Sequence, residues 1–151
     1  MTKERPITPE NLFDNIEAVI FDMDGTMVNN MQFHRDSWKE FCKRHNVPIT
    51  DEEFRQRISG KKNNDILESV FGRKLSDEEV KRLGEEKEAI YREIYSAYIE
   101  EVPGLLELIQ KLKSRKLKLA IATTAIAPNR KFVLDNLNLN GEQFDAIVGD
   151  E

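Results

Sequence analysis

The 151 residues contain a single cysteine, Cys42. One thiol cannot close a disulfide within the chain or build a cysteine-ligated zinc site, and it suits a reducing compartment. Glycine and proline are sparse, at 7 and 5 residues, which excludes a fibrous or disordered chain. No apolar run approaches the ~20 residues of a membrane-spanning helix. Residues 1–11 are polar and lack the apolar centre of a secretory leader. There is no surplus of positive charge either: 23 Lys and Arg stand against 28 Asp and Glu, a net charge of −5. That balance argues against a dedicated nucleic-acid or anionic-membrane partner. What is present is a 39% apolar fraction, enough for the core of one domain or of one domain with an insert. The expectation is a soluble, cytoplasmic, mixed α/β protein.

Ala18–Phe21 is a continuous apolar run, which predicts a strand buried on both faces of a parallel sheet. It ends in the polar turn Asp22-Met23-Asp24-Gly25-Thr26. From Met31 the period becomes helical, with Met31, His34, Trp38, Phe41 and His45 along one stripe that Pro48 ends. Thr50 with Glu53, and Ser76 with Glu79, have capping-box spacing and open two further helices. Between them Asn63 is placed to cap a helix that closes at Gly72. The helix after Ser76 carries Val80, Leu83, Lys87, Ile90, Tyr91, Ile94 and Tyr98 near one stripe, and its charged residues read as a solvated face. Residues 31–101 thus read as a helical unit. Pro103-Gly104 breaks it, and a helix over 105–113, a strand over 117–122, a helix from Pro128 and a strand over 144–148 follow. Three strands alternating with helices imply right-handed parallel crossovers, with the site at the carboxyl ends of the strands. Those ends carry Asp22 and Asp24, then Thr123 and Thr124, then Asp150.

Asp22 and Asp24 are one residue apart, so in an extended chain they point the same way. Like charges so close are costly unless a cation neutralises them, and Mg²⁺ prefers such hard oxygen ligands. A carboxylate beside a bound cation can attack phosphorus, and its neighbour can move the leaving group's proton. The four fixed residues of D-x-D-G-T would arise by chance in a chain of this length roughly once in a thousand.

The apolar run followed by D-M-D-G-T resembles the first motif of the haloacid dehalogenase-like superfamily of phosphotransferases, and in particular its β-phosphoglucomutase-like group. The resemblance implies a Rossmann-like parallel sheet formed by residues 1–30 and 102–151, with 31–101 inserted as a helical cap. It implies that Asp22 is the nucleophile, Asp24 the general acid/base, and the Asp22 carboxylate and Asp24 backbone carbonyl ligands of Mg²⁺. Thr123 matches the hydroxyl residue of the second motif, and Thr123 and Thr124 would bind a phosphate oxygen. His34 and Trp38 match an H-x-x-x-W pattern. Ser59-Gly60-Lys61 sits where the cap presents a substrate loop, so His34, Gly60, Lys61 and Lys62 are candidate substrate residues. The family's lysine-bearing third motif and acidic fourth motif do not appear before Glu151, which gives the expectation of a C-terminally shortened chain that is inactive alone. The first strand is central in the family, so its edge would here be open to self-association.

Plainer readings stand beside these. His34 could serve packing, Trp38 is expected in the core, Lys61 and Lys62 could be solvated, Cys42 is a small buried hydrophobe, and Tyr91, Tyr95 and Tyr98 serve packing or the cap surface. A small phosphorylated metabolite, a sugar phosphate, is the expected substrate. The resemblance gives a mixed signal on the reaction. Mutases of the family carry a basic residue in the cap loop, which Lys61 and Lys62 would supply, and a lysine soon after the second motif, where Ile126 and Ala127 stand here, so phosphatase is favoured over phosphomutase. A non-catalytic binding module and a metal-binding domain without turnover are the rival readings.

Overall fold

The computed structural model describes residues 15–58, 61, 63–139 and 141–150. Strands β1 (Ala18–Phe21), β2 (Lys118–Ile126) and β3 (Ala146–Asp150) pair in parallel, in the order β1-β2-β3. The β1 to β2 crossover contains α1 (Met31–Arg44), α2 (Asp51–Arg57), α3 (Asn63–Phe71), α4 (Asp77–Tyr95) and α5 (Leu105–Ser114). Helix α6 (Ala127–Asn136) makes the β2 to β3 crossover. The three-stranded α/β architecture is the one expected.

Its details correct several expectations. Strand β1 is not buried on both faces. Ile20 remains 67% exposed while Phe21 is buried, and among the described residues β1 lies at the sheet edge, as expected for this chain. Strand β2 runs past residue 122 to Ile126, because the chain bulges at Thr123–Ala125 and then re-pairs Ile126 with Asp150. The Ala125 N–H turns inward to the Thr123 hydroxyl at 3.1 Å in that bulge. Strand β3 begins at Ala146 because the Asp145 carboxylate accepts the Leu119 N–H at 2.9 Å, and Phe144 packs edge-on against Phe21.

Among the helices, both capping boxes form: Glu53 N–H donates to Thr50 Oγ1, Glu79 N–H to Ser76 Oγ, and each glutamate reaches back to its cap. Helix α1 stops at Arg44, ahead of Pro48, where Asn46 turns the chain with φ +58°. Asn63 is the first residue of α3 rather than its cap. Tyr98 lies beyond the end of α4 and is 63% exposed, and Tyr95 takes the buried place.

Two apolar clusters result. One lies under the sheet and includes Phe21, Met23, Leu119, Ile121 and Val133. The other lies among α1 to α4 and includes Trp38, Phe41, Cys42, Leu67 and Leu83. Helix α4 serves both, giving Leu83 and Ile90 to the helical cluster and Tyr91 and Tyr95 to the sheet cluster. The two linkers joining the clusters run side by side, with Val102 N–H donating to the Met27 carbonyl at 2.9 Å. Among the described residues no helix is long and apolar enough to cross a membrane.

Candidate active site

Strand β1 delivers Asp22 and Asp24 into a tight turn. The Met23 carbonyl accepts the N–H groups of Thr26, Met27 and Val28, and Gly25 at φ +76° makes the reversal without a Cβ penalty. Met23, Met27 and Val28 are buried beneath, so the turn is anchored at both of its ends. Asp22 is exposed, and one of its oxygens accepts the Met23 N–H at 2.8 Å. Asp24 is more enclosed. Its Oδ1 accepts from Asn30 Nδ2 at 2.6 Å, and its Oδ2 lies 3.6 Å from His34 Nε2. Burial alone would raise its pKa. The neighbouring His34 ring, the Asn30 amide and the Lys87 charge together outweigh that and hold the Asp24 carboxyl below the usual range.

Both aspartates line a cavity of about 520 Å³ between the strand ends and the helices. Thr123 and Thr124 line it from β2, Asn129 from α6, His34, Arg35 and Trp38 from α1, and Lys87 and Glu88 from α4. Asp22, Thr123 and Thr124 also share a second recess of about 410 Å³ with Val148 and Gly149 of β3. The Thr123 hydroxyl accepts from Ala125, which leaves its own hydrogen free to donate into the cavity. Lys61 lies at the exposed rim, its ammonium donating to the Gln56 carbonyl at 2.8 Å. Gly60 and Lys62 lie outside the described residues, as does Ser59.

His34 is held from three sides. Its ring stacks on Tyr91 at 4.0 Å, Lys87 Nζ approaches Nδ1 at 3.3 Å, and Nε2 faces Asp24. An ammonium can only donate, so Nδ1 is the acceptor and Nε2 carries the hydrogen. That Nε2 is buried and has no hydrogen-bond partner among the described residues, leaving a donor aimed at Asp24 and the cavity. Trp38 is in the core as expected, 5% exposed, yet its edge also faces the cavity.

The sequence reading missed four residues. Asn30 is fully buried and joins Asp24 to the Tyr91 hydroxyl, donating to both, at 2.6 and 2.7 Å. Lys87 and Glu88 are 2% and 7% exposed, which overturns their assignment to a solvated helix face. They pair with each other at 2.9 Å, and burial pushes the Lys87 ammonium below its ordinary pKa against the opposing pull of Glu88. Asn129, 3% exposed, receives that network on α6. Only Lys87 left a signal in the sequence, as a charge standing among apolar stripe positions. Tyr91 was read as packing, and it packs, but its hydroxyl also reaches the Asp24 network.

A parallel sheet that gathers carboxylates and hydroxyls at its carboxyl ends, beneath a helical segment, defines an α/β protein with a polar-ligand site at the strand ends. Residues 19–151 match the family model of haloacid dehalogenase-like hydrolases, and the chain belongs to that family. It is 30% identical over 143 residues to a phosphorylated carbohydrates phosphatase of Thermotoga maritima, covering 90% of this chain and 62% of that protein. It is 29% identical over 140 residues to a β-phosphoglucomutase of Bacillus subtilis, covering 88% and 60%. Among solved structures, a family IA HAD hydrolase from Entamoeba histolytica superposes with a TM-score of 0.82 at 31% identity, covering 90% of this chain and 62% of the other. The chain thus spans about three fifths of the length of these relatives.

Proposed function

We propose that the protein carrying this chain is a Mg²⁺-dependent cytoplasmic phosphatase that hydrolyses a small phosphorylated metabolite, a sugar phosphate, through an aspartyl phosphate on Asp22. The observation that carries the reading is the meeting of Asp22, Asp24, Thr123 and Thr124 in one cavity at the ends of adjacent parallel strands. Residues 31–101 act as a cap over the crevice formed by 1–30 and 102–151. His34, Gly60, Lys61 and Lys62 serve the substrate from the cap side.

The donor set fits Mg²⁺. Asp22 and Asp24 offer hard oxygens, and among the described residues no group of three His, Cys, Asp or Glu gathers into a complete protein cage. Mg²⁺ keeps several waters, so few protein ligands suffice. When bound, the ion supplies positive charge at the phosphoryl oxygens. Asp22 is the exposed carboxylate and attacks phosphorus, and the bond to the sugar oxygen breaks. Asp24 gives that oxygen its proton. An arriving phosphate dianion disfavours a second negative charge nearby, which raises the proton affinity of Asp24 above its resting value. Water then attacks the acyl phosphate, and Asp24 takes the water's proton back. The Thr123 hydroxyl and neighbouring N–H groups hold the phosphoryl oxygens throughout.

Phosphomutase is the second reading, favoured by the likeness to the Bacillus subtilis enzyme. The test is phosphate release and sugar-phosphate isomerisation across a panel of sugar phosphates, using this chain and the longest reading frame that contains it. The reading frame should release phosphate only with Mg²⁺, and Asp22→Asn should abolish this. The 151-residue chain should show negligible turnover, since each absent group that stabilises developing charge costs about 10²–10³-fold and the third and fourth motifs would supply several. Isomerisation without release would favour the mutase. Metal and phosphate binding without turnover in either form would favour a binding module.

A further inference from the structure

One wall of the crevice is a buried polar chain that the phosphoryl-transfer steps leave unused. It begins at Lys87, whose ammonium donates to Glu88 Oε1 at 2.9 Å. Glu88 Oε2 accepts from Asn129 Nδ2 at 2.7 Å, and Asn129 Oδ1 accepts from Arg92 Nη1 at 2.6 Å. Lys87, Glu88 and Arg92 stand on α4, and Asn129 in the first turn of α6. The Asn129 amide therefore uses both of its ends on α4, and its orientation is dictated: the carboxylate requires the NH₂ and the guanidinium requires the oxygen. The aromatic contacts between these helices are Tyr91 edge-on and Tyr95 tilted against Phe132, at 6.4 and 6.3 Å, and such apolar contacts tolerate sliding.

We propose that Asn129 is a positioning residue whose side-chain amide clamps α4 onto α6 and so sets Lys87 against His34 and the Asp24 end of the crevice. With the clamp closed, Lys87 stands 3.3 Å from His34 Nδ1 and 5.3 Å from the centre of the Trp38 ring. Helix α6 follows directly on β2, so Asn129 is tied by a few residues to Thr123 and Thr124. The clamp therefore joins the anion-facing strand end to the helix that carries Lys87. Its use in catalysis rests on the phosphoryl-transfer reading above, whereas its existence does not.

The test exploits the polarity of the amide. Glu88→Gln leaves a donor facing a donor somewhere in the chain, and Asn129→Asp sets two carboxylates face to face. The double variant Glu88→Gln/Asn129→Asp restores every pairing with one link reversed, since the introduced amide can donate to the introduced carboxylate, which also meets Arg92. Two readouts serve in the chain as it stands: amide exchange over α4 and α6, and emission from Trp38, the single tryptophan, which senses the nearby ammonium. Each single variant should raise exchange about tenfold, the usual consequence of losing a hydrogen bond to a charged group, and shift the emission. The double should return both to within about threefold of the parent, because paired sites are non-additive.

A double variant whose effect is the product of the two single effects would overturn the clamp, as would single variants that change neither readout. Should a single variant lose cooperative unfolding altogether, Arg92→Met removes only the outermost donor and should still raise exchange, and unchanged exchange there would equally overturn it. Absence of turnover in the parent protein would defeat the phosphatase reading without touching these readouts.

Discussion

Asp24 is constrained at both of its carboxylate oxygens, with Asn30 on one and His34 beside the other. Its folded pKa is depressed, so the sign of its linkage to stability is definite. The stabilisation is fully present above the carboxylate's unfolded pKa, and it is lost as pH falls through the lower folded value. Asp24→Asn should therefore flatten the acid limb of a stability-against-pH curve below about pH 4, where unperturbed aspartates titrate. Chemical denaturation at a series of pH values checks this, and an unchanged acid limb would show that Asp24 is not held ionised. At this scale the sequence was legible where chemistry is contiguous. The D-x-D-G-T run displays both carboxylates and their turn within five letters. Asn30, Glu88 and Asn129 were not legible, because each acts on a partner distant in sequence, as Asn129 does on Glu88 at a separation of 41 residues. Nothing local distinguishes such an asparagine from a surface one.

Helices α2 and α4 begin with the same capping box but carry different consequences. Helix α2 buries none of its residues, whereas α4 buries Leu83, Lys87, Glu88, Ile90, Tyr91 and Tyr95. Loss of the cap hydroxyl costs about 1 kcal/mol in either place. Ser76→Ala should therefore lower global stability by about that amount, since α4 does not open without exposing both clusters. Thr50→Ala should leave global stability nearly unchanged and speed amide exchange in α2 alone. Equal global losses in the two variants would show that α2 unfolds only with the whole. Element starts were readable because the boxes are local devices. Element ends were less so. Helix α1 stops at a left-handed Asn46 rather than at Pro48, and β2 outruns its apolar letters because its bulge re-pairs Ile126 with Asp150. A register shift of that kind depends on a partner strand that the segment itself does not encode.

At the scale of the molecule, the sheet formed by the described residues has an open edge at β1. Ile20 is 67% exposed there, and the strand contains no charge or proline that would discourage another chain from pairing. We propose that the 151-residue chain self-associates through this edge. Sedimentation velocity over a concentration series should show concentration-dependent growth that Ile20→Lys suppresses, and a monomer at all concentrations would contradict it. The open edge also explains why β1 read as a doubly buried strand: its composition suits burial that the described residues do not supply. The central claim concerns Asp22, and acid-quenched peptide mapping by mass spectrometry tests it most directly. The longest reading frame that contains this chain is incubated with Mg²⁺ and the sugar phosphate it turns over fastest, then quenched and digested at low pH, where acyl phosphates survive. The account predicts one added phosphoryl group on the peptide carrying Asp22, absent from the Asp22→Asn variant. Turnover with no phosphoryl group on that peptide, or near-normal turnover by Asp22→Asn, would contradict it.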